Sequence, residues 1–239
     1  VGIYNIASTV AGLTTFLLAS SNMIFSPIIS ELYSSHKIKM LNDLYSTITK
    51  WIIILTLPIV ISIVFFSDTI MKFFGEIYTI GSSALIILAL GQMINAFVGA
   101  NGIILNMSGH ERLLLINNIL MAIINIIFNA ILIPRIGILG AAISTGMSIA
   151  IINIIKVFEV KFLLGIIPYN KEYFFILINL LVVCSSSLII NIYWNNIISV
   201  GIVTVINMIL SIFISYKFKS NLDEVMFEKF KRKMKAIFA

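Results

Sequence analysis

Charge is what this sequence of 239 residues has least of. Asp, Glu, Lys and Arg together make up 11% of it, against 60% hydrophobic residues. A water-soluble domain of this length needs far more charge to cover its surface, so that class is excluded. Cysteine is nearly absent: Cys184 is alone in an apolar run, which rules out an internal disulfide and leaves it as small apolar filler. There is no glycine-rich phosphate loop, no H-E-x-x-H and no paired cysteine. His36 and the His110-Glu111 pair sit in short polar stretches with no second ligand nearby in sequence, so no metal or cofactor is expected. No Asp, Glu, Lys, Arg or His falls in the middle third of any apolar run. An intramembrane enzyme needs such groups for proton transfer, so catalysis is not expected.

What is there is a series of charge-poor runs, most of them about twenty residues long and so able to cross a bilayer. Seven are read: Gly2–Ile29, Trp51–Phe66, Ile80–Met107, Leu113–Ile133, Gly137–Ile155, Tyr173–Tyr193 and Ile197–Tyr216. Trp51–Phe66 is short and borrows residues from before Trp51. The fold class is therefore an all-α polytopic membrane protein. A retinal protein needs a lysine in its last span, and Ile197–Tyr216 has none. Span three ends in Met107-Ser108-Gly109-His110 without an acidic-arginine pair, which removes the seven-span receptor as well.

Cations give the orientation. Lys37, Lys39, Lys50, Arg112, Lys156, Lys161, Lys171 and the seven in the tail lie on one side, fourteen against Lys72 and Arg135 on the other. The rich side is expected to be cytoplasmic, with the N-terminus outside and the C-terminus inside. The net charge of +6 then reflects membrane topology and calls for no nucleic acid. An odd number of spans starting outside, with Val1 already in an apolar run, sets the expectation of a missing upstream half. Ile38, Leu41, Leu44/Tyr45 and Ile48 recur at helical spacing, as expected of a short amphipathic helix at 38–50 on the inner interface. Pro27 is expected to kink or end span one, Ser67 or Asp68 to cap a short outer helix, and Pro134–Gly137 to form a turn. Asn221 and Glu224 resemble a capping box opening a basic amphipathic tail helix on the inner leaflet. The divisions expected are a five-span lobe at 1–158, a loop at 159–172, a two-helix hairpin at 173–216 and the tail at 217–239.

The spans are not uniformly apolar. Asn5, Ser8/Thr9, Gly12, Thr15, Ala19 and Asn22 fall at helical spacing in span one, as do Gly91/Gln92, Asn95, Gly99, Gly102 and Asn106 in span three. Asn118, Asn125 and Asn129 continue the pattern in span four, and Gly140, Ser144 and Ser148 in span five. Span seven has a weaker stripe in Thr204, Asn207, Ser211 and Ser215. Such stripes either pack helix on helix through amide hydrogen bonds or line a wet cavity. Asn5, Asn22, Gln92, Asn95, Asn125 and Asn129 are the candidates for facing a lumen, with neutral sugar hydroxyls as their partners. Lys50, Lys72, Arg112 and Arg135 are read as lying only at span ends.

Four segments carry a resemblance: VGIYNIA (Val1–Ala7), FSPIISELY (Phe25–Tyr33), GQMINAFVGANGIILNMSGH (Gly91–His110) and LIPRIGILGAAISTGMS (Leu132–Ser148). In this order they resemble the C-terminal half of Wzx-type polysaccharide flippases of the MOP exporter superfamily, over roughly residues 1–170. The resemblance implies the second lobe of a MATE-like two-lobe transporter. It also implies movement of polyprenyl-linked oligosaccharide across the cytoplasmic membrane by alternating access, with spans six and seven as an accessory pair. The alternatives are a multidrug/cation antiporter of the same superfamily and a non-transporting membrane scaffold. The sequence departs from the family in having no buried cation for a diphosphate and no membrane carboxylate for cation coupling, with Glu31 and Glu159 at interface depth.

Overall fold

The structure, a computed structural model, describes residues 1–170, 173–194 and 196–217, and among them all regular structure is helical. The helices are α1 (Gly2–Gly12), α2 (Thr15–Ser34), α3 (Ile38–Phe73), α4 (Ser82–Val98), α5 (Asn101–Met107), α6 (Glu111–Ile136), α7 (Ile138–Leu164), α8 (Phe174–Tyr193) and α9 (Ile197–Lys217). Seven helical segments are long and apolar enough to cross a membrane. Most connections are a few residues long, so successive spans run antiparallel. The end carrying Lys37, Arg112 and Gly165 is called the basic end here.

Helix α3 is the spine. At 36 residues it is about 54 Å long, well beyond the roughly 30 Å of a hydrocarbon core. The amphipathic stretch Ile38–Lys50 is thus not a separate element but the first third of α3. Its apolar edge, Leu41, Leu44, Tyr45 and Ile48, is buried against protein. Lys39 and Asp43 break up the hydropathy there without breaking the helix. Pro58 lies inside α3 without ending it, and the helix bends only at Phe66, where φ is −113° and ψ is 21°. Ser67 and Asp68 follow directly on that kink, at the start of the short last piece of α3. Lys50, expected at a span end, is inside α3 and only 6% exposed.

Other boundaries also move. Pro27 lies inside α2, which continues to Ser34. Pro134 falls in the last turn of α6, so the turn contracts to Gly137, whose φ of +58° favours glycine. Helix α7 runs on to Leu164, past Lys156 and Glu159 that were read as loop. In the connection that follows, Ile167 N–H donates to Asn42 Oδ1 at 2.9 Å and the Tyr173 hydroxyl to the Ser46 carbonyl at 3.3 Å. The Tyr169 hydroxyl is pushed above its ordinary pKa by burial, so it is neutral near pH 7. The tail helix with Asn221 and Glu224, together with Lys171, Glu172 and Asn195, lies outside the described residues.

Two spans expected to be continuous are broken. Span one divides after Gly12, where Thr14 and Thr15 hydroxyls donate to the Ala11 and Gly12 carbonyls at 2.7 Å. The backbone tightens there: Thr14 N–H reaches Ala11 O and Phe16 N–H reaches Leu13 O, three residues back. Span three divides at Gly99, with φ +64° and ψ −134°. The freed Val98 carbonyl accepts from the Tyr45 hydroxyl at 2.9 Å. A Cβ at Gly99 would run into the Thr49 side chain. Below the break, Asn101 Nδ2 donates to the Asn153 carbonyl at 3.3 Å.

The apolar interior forms two clusters. One joins α1, α4 as far as Met93, α8, α9 and α3 from Ile53 onward. The other joins α2, α3 up to Ile52, Ala96 and Ala100, α5, and Val160 and Ile166. Helices α4 and α7 cross very closely, since a Cβ on Gly91 would lie 2.9 Å from the Gly146 Cα.

Candidate functional site

The polar stripes separate into two kinds once side chains are placed. The first kind is buried glue. Ser144 and Ser148 are buried and donate back to the Gly140 and Ser144 carbonyls at 2.7 Å. A Cβ at Gly140 would lie 2.5 Å from the Leu132 carbonyl carbon and oxygen, so this stripe allows close approach of α6 to α7. Between α8 and α9, Ser186 Oγ donates to Asn207 Oδ1 (2.6 Å), Asn207 Nδ2 to Ser187 Oγ (3.0 Å) and Ser211 Oγ to Asn179 Oδ1 (2.9 Å). Asn207, part of the weak stripe of span seven, is 1% exposed. Asn117 Nδ2 donates to Glu159 Oε2 at 2.6 Å and ties α6 to α7 near the basic end.

The second kind is only half-buried and lies on α1, α2, α4, α6 and α7. Asn129 Nδ2 donates to Asn125 Oδ1 at 2.9 Å, one turn apart on α6. Asn125 Nδ2 reaches Thr145 Oγ1 on α7 at 3.4 Å, and Thr145 Oγ1 shares a 2.9 Å hydrogen bond with the Tyr4 hydroxyl on α1. The result is one seam of amides and hydroxyls across three helices. Gly140 makes it possible by drawing α6 and α7 together. On α4, Asn95 Nδ2 donates to Gln92 Oε1 at 3.4 Å. Asn5, Ser8 and Thr9 are exposed on α1. Polar groups displayed at span depth are costly against lipid, so that face meets water, a solute or another protein surface.

Of the six candidates, Asn125 and Asn129 are brought together, Gln92 and Asn95 form a second pair, Asn5 stands exposed, and Asn22 is half-buried on α2. The Oδ1 atoms of Asn22 and Asn129 are buried and accept no hydrogen bond. A buried acceptor left unmade costs about 1–3 kcal/mol, which marks these as positions awaiting a donor. Tyr4 and Thr145 were missed by pattern. Helical spacing could have found them: Ser8 lies four residues after Tyr4, and Ser148 three after Thr145. Asn118 is exposed on α6 and belongs to neither network as built. Every member of the seam is uncharged. It can exchange hydrogen bonds with hydroxyls and amides, but it offers no charge to meet an anion.

Fold and seam together define a polytopic helical membrane protein with a neutral polar face at span depth. A family model described as MatE matches residues 1–131, more than half of the chain, and the chain belongs to that family. This agrees with the motif resemblance to the MOP exporter superfamily. The chain is 33% identical over 156 residues to a probable low-salt glycan biosynthesis flippase of Haloferax volcanii, a match covering 63% of this chain and 32% of that protein. It is 27% identical over 175 residues to an uncharacterized membrane protein of Methanocaldococcus jannaschii, covering 73% of this chain and 34% of that one. The chain thus spans about a third of the length of these curated relatives. No solved structure matches.

Proposed function

We propose that this chain serves in a transporter that moves a polyprenyl-linked oligosaccharide across the cytoplasmic membrane by alternating access. The observation that carries this is the neutral seam of Tyr4, Thr145, Asn125 and Asn129, with Asn129 Oδ1 unpaired. Amides and hydroxyls at span depth suit neutral sugar hydroxyls, each of which can donate one hydrogen bond and accept two. The printed name of the Haloferax volcanii relative supports the same substrate class. Asn5, Asn22, Gln92 and Asn95 extend the sugar-facing surface. The basic end faces the cytoplasm, following the excess of Lys and Arg there, and α8–α9 are an accessory pair beside α3. The protein moves its cargo and performs no chemistry on it.

The test is deletion of the gene in its host. Surface glycan should shrink or vanish while lipid-linked precursor accumulates on the inner leaflet, and the wild-type gene should restore both. Normal glycan in the deletion strain overturns the proposal. Drug sensitivity with intact glycan would instead identify a multidrug/cation antiporter.

A further inference from the structure

Spans one and three are neighbours; span one tightens at Leu13–Thr14 and span three breaks at Gly99, while α7 runs through and α3 is regular up to its kink at Phe66. Both lie close to the division between the two apolar clusters, which in span three falls about one turn earlier, between Met93 and Ala96. Helix α1 contributes Ala7 and Ala11 to the first cluster, whereas Ile29 of α2 belongs to the second. Span three divides in the same way: α4 up to Met93 joins the first cluster, and Ala96, Ala100, Ile104 and Leu105 join the second. Before the breaks, α1 packs on α4; after them, α2 packs on α5. A span that changes partners close to where its own hydrogen-bond ladder tightens or breaks can bend there with little unpacking of either side.

We infer that Leu13–Thr14 and Gly99–Ala100 form a paired hinge, latched by the Tyr45 hydroxyl, about which α2 and α5 swing together against α1 and α4. The two joints are built differently. At the first, the Thr14 and Thr15 hydroxyls donate to the Ala11 and Gly12 carbonyls where the backbone ladder tightens to three-residue bonds. At the second, Gly99 supplies a positive φ that other residues resist, and Tyr45, itself buried, holds the Val98 carbonyl. Thr49, whose hydroxyl donates to the Tyr45 carbonyl at 2.8 Å, fills the space beside Gly99. Because latch and filler both come from α3, before its kink at Phe66, that stretch of α3 is the frame against which the pair moves. Asn101, bonded to Asn153, holds the moving side to α7 and sets how far it can travel.

The hinge goes beyond the transport proposal and is read without substrate, so the two fail separately. Spin labels are placed on purified protein in nanodiscs, in a background with Cys184→Ser and otherwise free of cysteine. Exposed positions Ser8 and Ser83 report within the α1–α4 unit, Met23 and Asn106 within the α2–α5 unit, and Ser83 and Met23 across the hinge. Each within-unit distance should be single and the same in wild type and Tyr45→Phe. The cross-hinge distance should show two populations already in wild type. Tyr45→Phe should shift their ratio about three- to tenfold away from the latched form, as expected for one neutral hydrogen bond. A single cross-hinge distance in wild type overturns the inference, as does a ratio that Tyr45→Phe leaves alone. So does any variant in which the within-unit distances broaden along with the cross-hinge one. If Tyr45→Phe cannot be purified, the wild-type distributions alone decide.

Discussion

The α8–α9 ladder and the α1–α6–α7 seam are made of the same residue types, asparagine with serine or threonine. Their environments set them apart. Asn179, Ser187, Asn207 and Ser211 are all buried between two helices that pack on α3, with only Asn179 Nδ2 unpaired among their amide groups. Asn125, Asn129 and Thr145 are half-buried, and their chain of bonds ends on an amide oxygen that has no donor. A polar network buried between helices holds them together; one at the edge of the packing is free to take a ligand. Asparagine in a membrane span therefore says little by itself. Whether its hydrogen bonds are already used decides what it does.

Disturbing the scaffold beneath the seam should have the largest effect. Gly140→Val places its Cβ 2.5 Å from the Leu132 backbone, which cannot rotate away. Helix α6 must then move off α7, separating Asn125 from Thr145. Overpacking of this kind costs about 1–3 kcal/mol, and this site belongs at the upper end because the clash is with backbone. Thermal unfolding in detergent should show a clearly lowered midpoint, with transport lost in parallel. An unchanged midpoint would mean that the two helices are not in fact so close.

Breaking the ladder comes next. Asn207→Leu removes its bonds to Ser186 and Ser187. At about 0.6–1.7 kcal/mol for each interhelical bond, stability should fall by about 1–3 kcal/mol. Transport per folded molecule should stay close to wild type. If transport falls more than stability does, the ladder is not merely glue and the contrast with the seam fails.

The opposite pattern is expected of Asn129→Leu. It loses one hydrogen bond, to Asn125, but also removes an unpaired acceptor, so stability should change by less than about 0.5 kcal/mol. Transport should fall about tenfold, equivalent to about 1.4 kcal/mol of lost interaction with the moving substrate. Accumulated lipid-linked precursor in cells carrying this variant at normal expression is the readout.

Much of this contrast was beyond the sequence, for physical reasons. The spans themselves were legible because a charge-free run of about twenty residues has few alternatives to a membrane helix. Their ends were not: Lys39, Asp43 and Lys50 interrupt the hydropathy of α3, and Lys156 and Glu159 that of α7, while helical periodicity continues through them. The breaks were hidden as well. Gly91, Gly99 and Gly102 look alike in sequence, but only Gly99 takes a positive φ, because Thr49 and Tyr45 of a different span shape the space around it. Within the site, Asn125 and Asn129 were visible as an i, i+4 pair. Tyr4 and Thr145 join them only through tertiary packing, which no local pattern encodes.

The smallest expected effect is the sharpest test of the ladder as glue. Ser211 Oγ donates to Asn179 Oδ1 at 2.9 Å, yet Asn179 Nδ2 is buried and makes no hydrogen bond. That pair carries one good bond and one unpaid donor. Replacing both partners by apolar groups of similar shape removes the bond and the penalty together, which is often close to neutral. Asn179→Leu combined with Ser211→Ala should therefore leave the unfolding midpoint within about 0.5 kcal/mol of wild type. Ser211→Ala alone should do worse than the double variant, because it strands Asn179 Oδ1 beside an amide already short of partners. A double variant much less stable than the single one would show that Asn179 Nδ2 has a partner in the membrane, and the boundary between glue and open seam would then have to be redrawn through α8.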